Sequence, residues 1–309
     1  MRTPNLESRT PKRVPHSRPT LTEEDAERVA AVVRSGMIAQ GAEVAAFERE
    51  VAAYVGVTGA VALSSGTVAL QIALLALGVG RGDEVVIPSF VCSALHHAVT
   101  HCGADPVLAD SDPATLSLDP DDVKRRLGPR TRAIILPHAF GLAVPVEAFT
   151  ALGVPLVEDC AQAIGALDGG RPVGGRGAVG VFSFYATKMI TTGEGGMVTA
   201  RDPALLERMR DLREYDEREG LTPRFNAKLT EMQAALGRAQ LARLDLFIAR
   251  RREVARLYRE GLRSAPCELP PDEGGGRHVY HRFVVRARRS VAPLIERLEA
   301  LGVQCRRPV

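Results

Sequence analysis

Short apolar runs recur through the first two thirds of this 309-residue chain. They fall at Ala60–Leu63, Glu84–Ile87, Pro106–Ala109, Arg132–Leu136, Pro155–Glu158, Val179–Phe184 and Met197–Ala200. Runs this short, bounded by turn residues, read as strands. Helical patterns separate several of them, at Thr67–Leu77, Cys92–Cys102, Pro120–Leu127 and Val146–Leu152; Asp119 and Pro120 supply the cap and first residue of the third. Such alternation predicts an α/β fold, a mostly parallel sheet flanked by helices. Upstream, the first 19 residues read as an irregular arm. Thr20 and Glu23 form a capping-box pattern that predicts a helix to Ser35-Gly36, and a second helix covers Glu43–Tyr54. From Leu229 one long helix is predicted through Gln233, Leu241, Phe247 and Tyr258. A loop with Pro266 and Gly274-Gly275-Gly276 follows, then a strand at His281–Val285 and a helix at Ser290–Leu301.

Ligands of open α/β sheets bind beyond the carboxyl ends of the strands. Ser65, Asp159, Ser183 and Lys188 all fall at or just past such ends. Lys188 follows the strand pattern Phe182-Ser183-Phe184 and precedes the turn Gly193-Glu194-Gly195-Gly196. A single lysine at a strand end, beside small flexible backbone, suits an enzyme that bonds its amine to a carbonyl cofactor. Asp159 ends the run Pro155-Leu156-Val157-Glu158. A buried aspartate there can hold a proton on the ring nitrogen of pyridoxal phosphate. Ser64-Ser65-Gly66-Thr67 opens an apolar helix whose free N–H groups and dipole can cradle a phosphate. Each segment also has a plainer reading: a surface lysine before a turn, a helix-capping aspartate, an ordinary N-cap.

Composition narrows the picture without deciding it. Hydrophobic content of 45% and charged content of 25% are ordinary for a globular chain. A net charge of +3 is too small to argue for nucleic acid, and Arg250-Arg251-Arg252 is expected to solvate a helix face. No apolar run reaches the roughly 18 residues of a membrane helix. The segment Met1–Pro19 lacks the apolar core of a secretory signal. Cys92, Cys102, Cys160, Cys267 and Cys305 are scattered, odd in number and without a Cys-x-x-Cys pair, so a reduced, cytoplasmic protein is expected. His97, His101 and Cys102 could share a helix face, but no further ligand cluster accompanies them, and no metal is expected.

Taken together, the segments resemble the DegT/DnrJ/EryC1/StrS family of sugar aminotransferases, pyridoxal-phosphate enzymes of fold type I. The resemblance runs from about Arg18 to the end, and is densest at Ser65-Gly66-Thr67, Gly82-Asp83-Glu84-Val85, Glu158-Asp159 with Ala161-Gln162, and Ser183 through Gly196. It implies that Lys188 carries the cofactor and moves the proton, that Asp159 pairs with the ring nitrogen, and that Gln162 bonds the 3-oxygen. Gly66, Thr67 and Ser183 would hold the phosphate. Asn226, in the run Phe225–Gly237, matches a position that reaches the cofactor of a neighbouring subunit, which implies a homodimer. His138 and Glu194 match family positions near the lysine. Two departures stand out. Cys92 occupies the place, four residues after Pro88, where the family sets an aromatic ring over the cofactor, with Phe90 two residues earlier; Lys228 stands where arginine is common. Lysine at 188 argues against the family's dehydratase branch, in which histidine replaces it. The implied reaction moves an amino group from glutamate or glutamine to a nucleotide-linked keto sugar or related cyclitol ketone. Elimination or aromatisation on the same fold, and a cofactor-free partner or regulatory protein, are the alternatives. The resemblance further implies a large domain over 20–228, whose first helix can pack on the small domain. That small domain would be 229–309 and incomplete, since family members usually continue further.

Overall fold

The computed structural model describes residues 13–216, 219–271 and 276–308. Most of the expected N-terminal arm, and Gly274 and Gly275 of the expected loop, therefore lie outside the described residues. The strands are β1 (Gly59–Leu63), β2 (Glu84–Pro88), β3 (Asp105–Ala109), β4 (Thr131–Pro137), β5 (Leu156–Asp159), the short pair β6 (Leu167–Asp168) and β7 (Arg171–Pro172), β8 (Val179–Ser183), β9 (Gly196–Ala200), and a second short pair, β10 (Cys267–Glu268) and β11 (Arg286–Ala287). Seven of them form one sheet in the order β1-β9-β8-β5-β4-β2-β3. Only β9 runs antiparallel to its neighbours within that sheet.

The helices are α1 (Glu23–Ser35), α2 (Ala42–Val55), α3 (Gly66–Ala76), α4 (Ala94–His101), α5 (Pro120–Arg126), α6 (Glu147–Thr150), α7 (Pro203–Arg213), α8 (Glu231–Leu241), α9 (Leu244–Gly261) and α10 (Ala292–Ala300). Side chains alternate across a strand, so both faces of the sheet must be covered. Val61 and Leu63 of β1 pack with Ile72 of α3, Val99 of α4 and Met209 of α7. Their neighbours Ala60 and Ala62 face Phe47 of α2, Ala234 of α8 and Ile248 of α9. α5 and α6 cover β4 and β5 through Val123 and Phe149.

Three expectations are corrected. The capping box of α1 uses Thr22 and Asp25, not Thr20 and Glu23. The reason is tertiary: Asp25 also receives the Arg243 guanidinium at 2.5 Å and the Gln240 amide at 3.3 Å. The long C-terminal helix breaks at Ala242-Arg243 into α8 and α9. Arg243 turns back to Asp25, while Ala234 and Leu244 both reach the core under the sheet. No strand forms at His281–Val285; the strand of this segment is the short β11 at Arg286–Ala287. Tyr280 has a φ of 47°, which ends extended backbone just before that segment.

Glycine permits the crowding at the carboxyl edge of the sheet. Leu63, the last residue of β1, and Ser183, the last of β8, both pair with Gly196. A Cβ on Gly196 would lie 2.2 Å from the Ser65 carbonyl oxygen, so the turn after β1 can cross here only over glycine.

Candidate active site

The carboxyl ends of β1, β4, β5 and β8 open on one cavity of about 280 Å³. Ser65, Gly66, Thr67, Cys92, Asp159, Gln162, Ser183 and Lys188 all line it. His138, Glu194, Phe90, Phe140 and Tyr185 complete much of the wall.

Lys188 sits in the loop between β8 and β9. Its backbone N–H donates to Tyr185 (2.8 Å), and the loop is tied down by Thr192 N–H to the Phe184 carbonyl (2.9 Å). Among the described residues the Lys188 amine has no hydrogen-bond or ion-pair partner. Burial holds its proton affinity below that of a free lysine, helped by Arg282 and opposed by Asp159 and Cys92. Asp159 is buried, at 8% exposure. Its Oδ1 accepts from the Ala161 N–H at 3.0 Å, and among the described residues Oδ2 has no partner. Burial pushes this carboxyl above its usual range, against Ala161, Lys188 and His138. No helix follows Asp159, so it is not a helix cap. A buried carboxylate with one open oxygen and a raised pKa lacks a cation, and a protonated ring nitrogen would supply one.

The phosphate end is equally specific. Ser65 caps α3 by accepting the Val68 N–H at 3.2 Å, and its carbonyl takes the Ala69 N–H. Among the described residues the N–H groups of Gly66 and Thr67 have no acceptor at the helix start, as the first donors of a helix lack one within it. Ser183 stands against them, with a Cβ on Gly66 falling 2.7 Å from Ser183 Cβ. Gln162 is oriented by the Phe140 N–H, which donates to Oε1 at 2.9 Å. That leaves the Gln162 amide nitrogen to donate. The cradle, the open carboxylate and the amide donor fit pyridoxal phosphate in size and chemistry.

Beneath this wall lies a network that strand alternation signals but that motif reading missed. Glu158 points away from Asp159 and is fully buried. Its two oxygens accept the N–H groups of Gly174 (2.9 Å), Arg176 (2.7 Å) and Gly177 (2.6 Å). His138 Nδ1 accepts the Val144 N–H at 3.0 Å, which leaves Nε2 to donate to Glu158 at 3.2 Å. Despite burial, these partners hold Glu158 below the usual carboxylate range. Among the described residues, ligand atoms of His138, Glu158 and Cys160 gather within 4.8 Å, but hydrogen bonds already occupy the first two. His138 is therefore placed by its neighbours, and it lines the cavity.

The structure brings Cys92 to the cavity on the same wall as Phe90, and Cys92 is exposed there. It does not bring Asn226 there. That residue is exposed, although its segment is fixed by Ala227 N–H to Arg213 (2.9 Å) and Ser64 N–H to the Ala227 carbonyl (2.9 Å). Lys228 instead pairs with Asp216. The expectation that Arg250-Arg251-Arg252 solvates a helix face holds only for Arg250: Arg251 turns inward to the carbonyls of Tyr280 (3.3 Å) and His281 (3.2 Å), and Arg252 to that of His278 (3.2 Å).

Comparison with known proteins agrees with this geometry. The family model for the DegT/DnrJ/EryC1/StrS aminotransferase family matches residues 19–307. The GDP-perosamine synthase of Caulobacter vibrioides is 37% identical over 279 residues, which cover 84% of this chain and 74% of that protein. The crystal structure of DesV from S. venezuelae superposes with a TM-score of 0.87 at 40% identity, covering 91% of this chain and 78% of DesV. A Streptococcus pneumoniae protein, Spr1654, described as a sugar aminotransferase and solved in its PLP form, superposes with a TM-score of 0.90 at 26% identity, covering 94% and 83%. With a fold-type I sheet, a lysine and an aspartate facing one cavity, and a matching sequence over nearly its whole length, the chain belongs to the DegT/DnrJ/EryC1/StrS aminotransferase family.

Proposed function

We propose that this chain moves an amino group from glutamate or glutamine to the carbonyl of a nucleotide-linked keto sugar, or a related cyclitol ketone. It does so in the cytoplasm, as a homodimer, with pyridoxal phosphate bound through Lys188. The observation that carries this reading is the unpaired, half-buried Lys188 amine in one cavity with the open Asp159 carboxylate and the α3 cradle. The names of the relatives, a perosamine synthase among them, support an amino-sugar product.

When bound, pyridoxal phosphate supplies the carbonyl that takes and returns the amino group, and a ring that draws electrons from the carbon beside it. The protein's part follows from its residues. Lys188 Nζ, with its proton affinity lowered by burial, is poised to take the proton from the nitrogen-bearing carbon of the substrate and give it back across that nitrogen. Asp159 Oδ2 keeps a proton on the ring nitrogen by charge. Gly66, Thr67 and Ser183 bind the phosphate through N–H and hydroxyl groups, and Gln162 donates to the ring oxygen. Cys92 takes the place of a stacking ring, leaving Phe90, Phe140 and Tyr185 as aromatic side chains of the cavity wall. Asn226, exposed and outside the cavity of its own chain, serves the phosphate of a partner subunit; the exposed apolar Met37 and Ile38 support such a partner surface.

The test is borohydride reduction of the enzyme with its cofactor, followed by peptide mapping. The cofactor should be found on Lys188. Addition of L-glutamate before reduction should shift the cofactor absorption and prevent the labelling. Label on another lysine, or a spectrum indifferent to glutamate and glutamine, would reject the reading.

A further inference from the structure

Three of the chain's seven histidines fall within six residues, at His96, His97 and His101. All three lie on α4 and are exposed, whereas His16, His138, His278 and His281 are partly or fully buried. The opposite face of α4 is fixed. Leu95, Ala98 and Val99 are buried in one core cluster with Ile72 of α3. Thr100 Oγ1 donates to the carbonyls of His96 and His97, each at 3.1 Å. The exposed histidines therefore stand on a rigid frame.

In the sequence, Cys102 shares a helix face with His97 and His101. The structure parts them. Cys102 is buried, its Sγ donates to the Gln71 carbonyl at 3.7 Å, and burial pushes the thiol up to about 12. A thiol held protonated against the core is not a metal ligand, since the thiolate is the form that binds. His97 and His101 remain. Spaced i,i+4, they are neighbours on the helix surface. Their ring centroids lie 6.2 Å apart, with planes 32° from parallel. The His96 ring stands edge-on to His97 at 5.7 Å. It leaves the helix about 100° away from His97 and roughly 140° from His101, so it is off the line that joins them.

Among the described residues none of these three rings has a hydrogen bond or ion pair. Two histidines at i,i+4 on one helix face are the metal-binding half of the zinc-protease helix motif. Imidazole nitrogens hold first-row divalent ions at about 2.0–2.1 Å. Both rings are free to rotate at the surface, which turns one nitrogen of each onto a common ion. His101 is also the last residue of α4, where the partial negative charge of the helix end favours a cation.

We propose that His97 and His101 form a two-imidazole site for a divalent transition-metal ion, such as zinc, nickel or copper, on the outer face of α4. The site is apart from the aminotransfer centre. Ala94 and Leu95 of the same helix line the cavity, but neither histidine does. Ligand chemistry sets the ranking: copper binds more tightly than nickel or zinc. Magnesium and calcium, which take oxygen ligands, do not compete.

The test is calorimetric titration of the tag-free holoenzyme with NiCl2 and CuCl2, in a background of MgCl2. The parent should take up one ion per chain, copper more tightly than nickel. His97→Gln and His101→Gln should each weaken nickel binding by about tenfold or more, because the remaining imidazole loses the gain of a tethered second ligand. His96→Gln should keep the parent's affinity, and so should Cys92→Ser, which removes the exposed thiol as a rival ligand. All four positions are exposed, so the variants should fold. Cofactor absorption and borohydride labelling of Lys188 should be the same in the three histidine variants as in the parent; those readouts judge the aminotransfer reading separately. Absence of nickel and copper binding by the parent, unchanged affinity in the His97 and His101 variants, or an equal loss in His96→Gln or Cys92→Ser overturns the site.

Discussion

Gly66→Ala separates an ordinary helix start from a phosphate cradle. Gly66 has no left-handed backbone, so alanine meets no conformational strain. In an exposed helix the change would stabilise by up to about 1 kcal/mol. Here the new Cβ would lie 2.7 Å from Ser183 Cβ, 3.0 Å from its Oγ and 3.3 Å from its Cα. Carbon atoms pack at about 3.5–4.0 Å, so the contact is short by roughly 1 Å. The obstacle cannot swing away, because it is the root of a side chain on a strand end paired with Gly196, which itself abuts Ser65. The start of α3 must retreat instead. Overpacking of this kind costs about 1–3 kcal/mol, so the cofactor-free chain should melt a few degrees lower despite the better helix former. A retreat of nearly 1 Å also takes the Gly66 and Thr67 N–H groups out of hydrogen-bond range of a phosphate. Each charge-assisted bond contributes about 1.5–3 kcal/mol, so cofactor affinity should fall by about 10–100-fold if one is lost. Thermal melts of the cofactor-free chain and equilibrium titration with pyridoxal phosphate measure the two effects. Adding Ser183→Gly should recover part of the melting temperature but not the affinity, because the hydroxyl is gone. A variant that melts higher and binds cofactor as tightly as the parent would refute the close-packed cradle.

Asp159→Asn should retain the fold and lose activity by on the order of several kcal/mol in barrier, since the amide cannot hold a ring proton by charge; near-normal turnover at saturating cofactor would contradict this. Acid should destabilise the chain well before its carboxylates titrate. Burial lowers His278 from 6.5 to about 4 and depresses His281 too, so the folded state binds fewer protons than the unfolded one in that range. Stability is therefore full above about 6.5 and falls below it, by about 1.4 kcal/mol per pH unit per histidine; urea unfolding across this range should show it, and His278→Gln should flatten the slope. For the proposed dimer, a Lys188→Ala chain mixed with an Asn226→Ala chain should regain activity, because one site of the mixed dimer holds both intact residues; absence of rescue in verified mixed dimers would remove Asn226 from the partner's site.

Much of the sheet was legible in the chain. Strands buried on both faces must be short apolar runs, and β1, β2, β3, β4, β5, β8 and β9 each lie within a residue or two of such a run. The local signals of Asp119-Pro120 and Ser65-Gly66-Thr67 also held, because caps and helix starts depend on neighbours in sequence. Ser65, Asp159, Ser183 and Lys188 could be picked out since each falls at or just past a strand end, where this fold gathers its ligands, whereas Gln162 was legible only through the family resemblance. What the tertiary structure alone decided depends on partners far apart in sequence. Thr22 replaces Thr20 at the start of α1 because Arg243 and Gln240 reach Asp25 from over two hundred residues away. The long helix breaks because Arg243 serves that contact while Leu244 enters the core. The charge state of Glu158 rests on three backbone N–H groups and His138, and Arg251 comes beside the segment of Arg282 only because its guanidinium reaches from α9 to the carbonyls of Tyr280 and His281. Periodicity and spacing report which residues face inward. Which of them meet, and with what charge, is set by the closing of the chain on itself.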